Sequence, residues 1–375
     1  MEPKEKKKRK TRYRRTQSIP TDLTIEILSR LPEKSVARCS CVSKLWSSIT
    51  SDPSFPRPRL LLSFQQYDDS DLYISSIPQH TLNSNRSYSS SLSFDHHHMM
   101  ELPSCYNRFS SKESVHSLIC FQESENPVVW NPSTRQFITL PTTPEPCKDW
   151  KKTTLLLGYD PVEGKHKVVC LPFKRTCYVC RVFTLGSAQK AWRTVKANIH
   201  HRPTSHTYER CIEGVIYYLA SSGKRGDEVL MSFDVRSEKF DMIKLPSTSL
   251  WDVLITYKGR LAFCSRLSYR TEDRRLWILE DAQKHIWTGQ DFLSPFDGLD
   301  DGSFKLTGFT HAGEFIFAPE RDSQSCYILL CDPVRNSWRR FDFKGLADEV
   351  YVHKEGHPPY ALHAFPNHID SQMSL

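Results

Sequence analysis

The chain has 375 residues, 38% hydrophobic and 25% charged, with 23 Pro and a formal net charge of +8. No apolar run approaches the ~18 residues a membrane helix needs, and no aliphatic residue precedes Ile19 to make a signal-peptide core, so an intracellular chain with no membrane partner is expected. The charge is local: residues 1–15 carry nine Lys or Arg against two Glu, which supplies +7 of the +8, so the remaining chain is almost neutral and is no polyanion-coating surface.

In chain order, the first element is that basic stretch, read as a disordered tail over residues 1–15. Its run Lys6, Lys7, Lys8, Arg9 and Lys10 is a candidate nuclear-import signal, because import needs only an exposed basic string. Nucleus, cytoplasm or both is the expected location.

Residues 16–58 read as a small all-α module. Leu23, Ile27 and Leu31 recur four apart and line one helical face, while Ile25 and Leu28 fall off that stripe. A helix with two apolar faces in so short a module cannot bury both, so the second face is expected to meet another protein. Pro20 precedes a first helix capped by Thr21, with Asp22 favourable in the first turn, and Pro32 ends it near Arg30. A second helix is predicted over Glu33–Cys41 and a third over Lys44–Ile49.

This segment resembles an F-box, the adaptor-binding module of cullin-based ubiquitin ligases. The residues that carry the resemblance are Ile19-Pro20, Asp22-Leu23, Glu26-Ile27-Leu28, Leu31-Pro32, Val36-Ala37, Cys41-Val42-Ser43-Lys44, Trp46 and Phe55, with Ile19 where the family usually has Leu. The resemblance implies that Ile19, Pro20, Leu23, Ile27, Leu28, Leu31, Pro32, Val42 and Trp46 form the module's core and its contact with a Skp-type adaptor, and through that adaptor with a cullin.

After Phe55 the helical period gives way to a repeat. Each unit pairs an apolar strand, usually opened by Gly, with a second strand that ends in a polar turn followed by an aromatic. These aromatics, Phe137, Trp192, Phe240, Trp287 and Trp338, are 55, 48, 47 and 51 residues apart. A period near fifty built of short strands and Gly, Pro and Asp turns is that of a kelch-like β-propeller blade. The fold class is therefore α+β multidomain: three short helices, then an all-β propeller of about six blades over residues 59–375, with Leu60–Phe64 and Asp71–Ile74 in one blade completed by the last strands. A Ser- and His-rich loop is expected near 78–112, and Trp192, Phe240, Trp287 and Trp338 are expected to pack between blades. The region resembles the plant F-box-associated domain of type 3, on Leu118-Ile119-Cys120, Asn131-Pro132-Ser133-Thr134-Arg135-Gln136, Leu140-Pro141 and Leu157-Gly158-Tyr159-Asp160-Pro161.

Of the twelve cysteines, only Cys177 and Cys180 stand as a Cys-x-x-Cys pair. In a strand, residues three apart point to opposite faces, so no metal is assigned to them, and the adjacent His96, His97 and His98 are read as a solvated loop. No phosphate loop or nucleophile elbow is present, so no cofactor and no catalytic residue is assigned. The functional expectation is the non-catalytic substrate-recognition subunit of a Skp-cullin-F-box ubiquitin ligase, with an unidentified protein target on the propeller. The alternatives are a nucleic-acid binder using the tail and helices, or a kelch-type propeller enzyme. A recognition helix needs an exposed polar face, and the second helix sets only Lys34 and Arg38 among Val36, Ala37, Cys39 and Cys41, so nucleic acid is not expected as a partner.

Overall fold

A computed structural model of the chain describes residues 19–29, 31, 33–50, 55, 58–66, 71–79, 95–98, 113–123, 126–142, 153–173, 175–204, 209–222, 227–246, 252–265, 273–293, 304–310, 313–319, 327–332, 334–335, 337–342, 360–371 and 375. The chain divides into two compact units, Met1–Arg57 and Pro58–Leu375. The basic run Lys6–Lys10 and Pro32 lie outside the described residues.

The first unit holds α1 (Thr21–Ser29), α2 (Glu33–Cys39) and α3 (Lys44–Thr50), each in contact with the other two. Thr21 is the first helical residue rather than the cap. The Pro20 carbonyl accepts the opening bond from the Thr24 amide at 2.9 Å and a second bond from the Thr24 hydroxyl at 3.1 Å. A proline just outside a helix has no N–H to leave unsatisfied, which suits it to this place. Helix α2 ends two residues before the expected Cys41 because Cys41 and Val42 bond back to Arg38 and Cys39 in a tight turn. Ser43 then caps α3, its Oγ accepting from the Trp46 amide at 3.1 Å.

The second unit is built of antiparallel sheets. β1 (Arg59–Gln66) pairs with β2 (Asp71–Pro78), and β2 with β3 (Asp95–His98). β4 (Ile119–Glu123), β5 (Asn126–Asn131) and β6 (Gln136–Thr139) form a three-stranded sheet. Next come β7 (Thr153–Asp160), β8 (Lys165–Pro172), β9 (Cys177–Thr184) and β10 (Arg193–Pro203), then β11 (Arg210–Ile212), β12 (Val215–Ser222), β13 (Asp227–Asp234) and β14 (Lys239–Ile243). These eight belong to one sheet, joined only where Arg202 and Pro203 of β10 pair with Ser221 and Ala220 of β12. β15 (Asp252–Tyr257), β16 (Arg260–Ser265), β17 (Asp273–Asp281) and β18 (Ile286–Leu293) form the next sheet, and β19 (Phe304–Phe309), β20 (Phe315–Pro319), β21 (Tyr327–Asp332) and β22 (Ser337–Asp342) another. Finally β23 (Tyr360–His368) returns to pair with β1 along that strand's length.

The expectation of a loop over 78–112 needs correction. Pro78 ends β2, and Asp95–His98 form a strand because β2 would otherwise present an unpaired edge. The rest of that segment lies outside the described residues.

The inner strands are apolar on both faces because each face packs against a neighbouring sheet, whereas outer strands such as β10, β18 and β22 are largely exposed. On β8, Val168 and Cys170 join one core cluster with Leu155, Leu157 and Trp192, whereas Val169 and Leu171 join another with Tyr218, Met231 and Phe233. Three further clusters lie between β1–β5 and β23, between β12–β14 and β15–β17, and between β15–β17 and β19–β21. With β19 and β20 touching β23, consecutive sheets close on one another. Period-2 alternation therefore sends alternate residues into two different cores, and burying each large side chain contributes roughly 1.5–3 kcal/mol.

Turn chemistry explains the repeat. Asn131, Asp234, Asp281 and Asp332 each accept from a backbone amide two or three residues on, at 2.6–3.0 Å. Four residues after the first three, Arg135, Glu238 and His285 have φ of 60°, 57° and 55°, the left-handed conformation that closes the hairpin. The Gly that opens the preceding strand answers a second need. Two successive positive φ values, at Glu213-Gly214 and Lys258-Gly259, make the tight turns that lead into β12 and β16.

The Asn131–Gln136 segment does more than turn. Its Asn131 Nδ2 donates to the Ser371 carbonyl at 3.3 Å, Ser133 Oγ accepts from the Ser371 amide at 3.1 Å, and Gln136 Oε1 accepts from the Leu375 amide at 3.0 Å. Arg59 pairs with Asp370 at 3.1 Å. Two distant segments and the chain's last residues are thereby strapped together.

Cys177 and Cys180 do not point to opposite faces as expected. Both are fully buried in the same cluster, because alternation breaks where the β9–β10 pairing shifts register between Lys196 and His201. Burial pushes both thiols up, so neither is a ready metal ligand.

Candidate functional site

The helical unit answers a question that spacing left open, which apolar residues point outward. On α1, Thr24 and Leu28 are buried, with Leu28 at 0% exposure, while Leu23 and Ile27 are exposed. Each pair is four residues apart, so the helix has one inward and one outward stripe. Ile19, Leu23, Ile27, Val42 and Leu45 are between 47% and 64% exposed. Pro20 is exposed beside Ile19, and Leu31 and Trp46 are partly buried. Ile49 of α3 is buried and supplies core from the other side.

Of the nine residues singled out from the sequence, Ile19, Pro20, Leu23, Ile27 and Val42 are thus presented to solvent. Leu28 is a core residue of the module. Leu45 was not singled out, although it belongs with the outward set. Its signal was the Ser43 cap, which fixes the start of α3 and with it the direction of each side chain on that short helix.

Exposing several large aliphatic side chains on one small unit costs free energy unless something covers them, and isolated exposed apolar residues need no such account. Val42 and Leu45 flank the Ser43 cap, and Leu23 and Ile27 lie one turn apart on α1. The unit thus presents apolar anchors on short helices, the helix-surface chemistry used for protein recognition.

The aromatics of the second unit hold sheets together. Trp192 Nε1 donates to the Pro141 carbonyl at 2.7 Å, and Trp287 Nε1 to the Lys244 carbonyl at 2.9 Å, so each reaches the segment that follows the preceding sheet's outer strand. Phe240 is buried against Phe233 and His201. Trp338 departs from the expectation: it is 54% exposed. It stands on β22, the outer strand of its sheet, and makes no such carbonyl bond among the described residues. Among the described residues, no group of three His, Cys, Asp or Glu is placed to hold a metal ion, and no helix is long and apolar enough to cross a membrane.

An outward apolar helical face on one unit and a closed run of antiparallel sheets in the other define a chain of two parts, an interaction module and a large β scaffold. Two family models match the chain in the same order: F-box-like over residues 16–57, and the F-box associated beta propeller domain over residues 59–369. The chain belongs to the plant F-box proteins that carry this type 3 F-box-associated domain. "Putative F-box protein At1g47790" of Arabidopsis thaliana is 48% identical over the full length of both chains, and "Putative F-box protein At3g10240" of the same plant is 49% identical, also over the full length of both. "F-box protein At1g48060" of Arabidopsis thaliana is 34% identical, covering 96% of this chain and 93% of its own.

Proposed function

We propose that the chain is the substrate-recognition subunit of a Skp-cullin-F-box ubiquitin ligase. The helical unit docks on a Skp-type adaptor that leads to a cullin, and the propeller holds a protein target for ubiquitination and degradation. The observation that carries this reading is the split of α1 into a buried Thr24–Leu28 stripe and an exposed Leu23–Ile27 stripe. The chain's own part is positional and non-catalytic. Holding a target near a conjugating enzyme raises the effective concentration of its lysines, and no residue here needs to form a covalent intermediate.

The blade count of six belongs to the same reading. It divides the eight-stranded sheet at the two-residue contact between β10 and β12, and it counts β23 with β1, β2 and β3. The domain limits of 16–58 and 59–375, and a nuclear as well as cytoplasmic location driven by Lys6–Lys10, are proposed with it.

The test is capture of a Skp-type adaptor by the full chain and by the double variant Leu23→Ala, Ile27→Ala. Apolar anchors at the centre of an interface are worth ~2 kcal/mol or more each, so capture should fall by well over tenfold while helix content is kept. Undiminished capture by a folded double variant would overturn the docking surface, and absence of adaptor binding by the unsubstituted chain would overturn the function.

A further inference from the structure

The second unit has a half-open pocket of about 170 Å³, formed where β11, β15, β19 and β23 meet the segment 113–116 that precedes β4. A dry cavity of about 150 Å³ accepts a molecule the size of benzene, so this one is large enough for a small organic ligand. Among the described residues its wall carries one cation, Arg210, which is 6% exposed. Arg210 Nε lies 3.3 Å from Glu113 Oε2, and Nη1 donates to the Glu209 carbonyl at 2.7 Å, which leaves Nη2 without a partner among the described residues. The rest of the lining mixes polar groups, His116, Cys211, Thr256 and Asn367, with an apolar side made by Phe309, Pro366 and Ile369.

We infer that this pocket is a binding site for a small carboxylate with an apolar body, the carboxylate pairing with Arg210 and the body lying against Phe309 and Pro366. Arg is the side chain suited to a planar carboxylate, and a guanidinium held out of water gains more from one than a solvated cation does. The inference is independent of adaptor docking.

Glu113 sets how the site responds to pH. Burial pushes its carboxyl up to about 7, against the opposing pull of Arg210 and of the Cys211 amide that donates to Oε1 at 2.8 Å, with Glu209 adding a like charge. Of the other groups facing it, His116 is held neutral by burial and the Cys211 thiol is pushed up to about 12. Among the described residues, strands β15, β19 and β23 bring no titratable group to the lining. Burial favours the protonated Glu113, and its protonation releases Arg210 to an incoming anion. A bound carboxylate disfavours the ionised Glu113, so binding takes up a proton and tightens as pH falls.

The experiment is calorimetric titration of the full chain with benzoate and with benzamide, its uncharged analogue, at about pH 8 and about pH 6, either side of the ordinary neutral range. Benzoate should bind at millimolar concentration with proton uptake, more tightly at the lower pH and at least about tenfold more tightly than benzamide. Glu113→Gln removes the competing charge and should bind benzoate more tightly than the unsubstituted chain at the higher pH, a gain that a misfolded protein cannot show. Arg210→Gln should abolish binding. Equal binding of benzamide, tighter binding as pH rises, weaker binding by Glu113→Gln, or no saturable binding by either the unsubstituted chain or Glu113→Gln would each overturn the site. A short peptide tested with a free and an amidated C-terminus separates the two sources of the carboxylate. Preference for the free form assigns the site to a peptide end, and exclusion of both forms assigns it to a free acid.

Discussion

The two units spend their apolar residues differently. In the helical unit the large aliphatics at Ile19, Leu23, Ile27, Val42 and Leu45 are exposed, and Leu28 and Ile49 are its buried aliphatics among the described residues. In the β unit Trp130, Phe121, Phe233, Phe263 and Phe315 are fully buried, and its exposed apolar residues, such as Val162, Tyr178, Ile286 and Val334, are scattered over three sheets. A unit that shows more of its large side chains than it hides is half of an interface, while one that hides them and scatters the rest is a scaffold.

The largest effect that can break this comparison is in the scaffold. Trp130 is fully buried in the cluster shared by β1, β4, β5 and β23, stacked on Phe137 at 5.6 Å between ring centroids. Trp130→Ala should destabilise the β unit by roughly 3–5 kcal/mol, read as a lower denaturant midpoint and faster proteolysis of residues beyond 58. Trp338→Ala, on an exposed outer strand, should shift the midpoint by no more than about 0.5 kcal/mol. Equal losses from the two would mean that burial does not distinguish them and that the sheet order around β22 is wrong.

How far the sequence foretold this contrast depended on what each feature requires. Turns were legible because their chemistry is local: Asn131, Asp234, Asp281 and Asp332 are needed for their carbonyl or carboxylate oxygens, and Gly214 and Gly259 for positive φ. The rule that residues alternate across a strand also held for β8, where it correctly separates Val168 from Val169. It failed at Cys177 and Cys180, because a register shift on the partner strand cannot be read from the strand itself. Trp338 breaks the pattern because, among the described residues, it finds no neighbouring carbonyl of the kind that Pro141 offers Trp192 and Lys244 offers Trp287, and a repeat position alone does not supply one. The strapping of Ser371 to Asn131 and the meeting of Glu113 with Arg210 join residues far apart in the chain, and no local pattern announces either.

A smaller effect sharpens the interface side. Leu28 lies on the buried stripe of α1, one position from the exposed Ile27. Leu28→Ala should cost the helical unit roughly 2–5 kcal/mol and reduce adaptor capture through loss of helix, whereas Leu23→Ala should reduce capture with helix content unchanged. Circular dichroism of residues 1–57 within the full chain is masked by the strands, so protease sensitivity within that unit is the useful readout. If Leu23→Ala raised that sensitivity as much as Leu28→Ala, the two stripes of α1 would not be distinct.

The smallest expected effect concerns a turn that departs from its neighbours. Gly214, Gly259 and Gly313 open their strands with φ of 81°, 77° and 90°, but the matching place before β4 holds Ser117, with φ of 78°, preceded by His116 at 42°. An L-residue in the left-handed region costs roughly 1–2 kcal/mol, while Gly there adds about 0.5–1 kcal/mol of unfolded-state entropy to be lost on folding. Strain relief outweighs that entropy, so Ser117→Gly should stabilise the β unit by up to about 1 kcal/mol. The Val115–Leu118 bridge that this turn closes has backbone bonds of 2.8 Å and 3.1 Å, which the substitution should leave in place. Denaturant midpoints of the two proteins decide the matter. A lower midpoint for Ser117→Gly would show that the buried Ser117 side chain holds this turn together and that its conformation is not a source of strain.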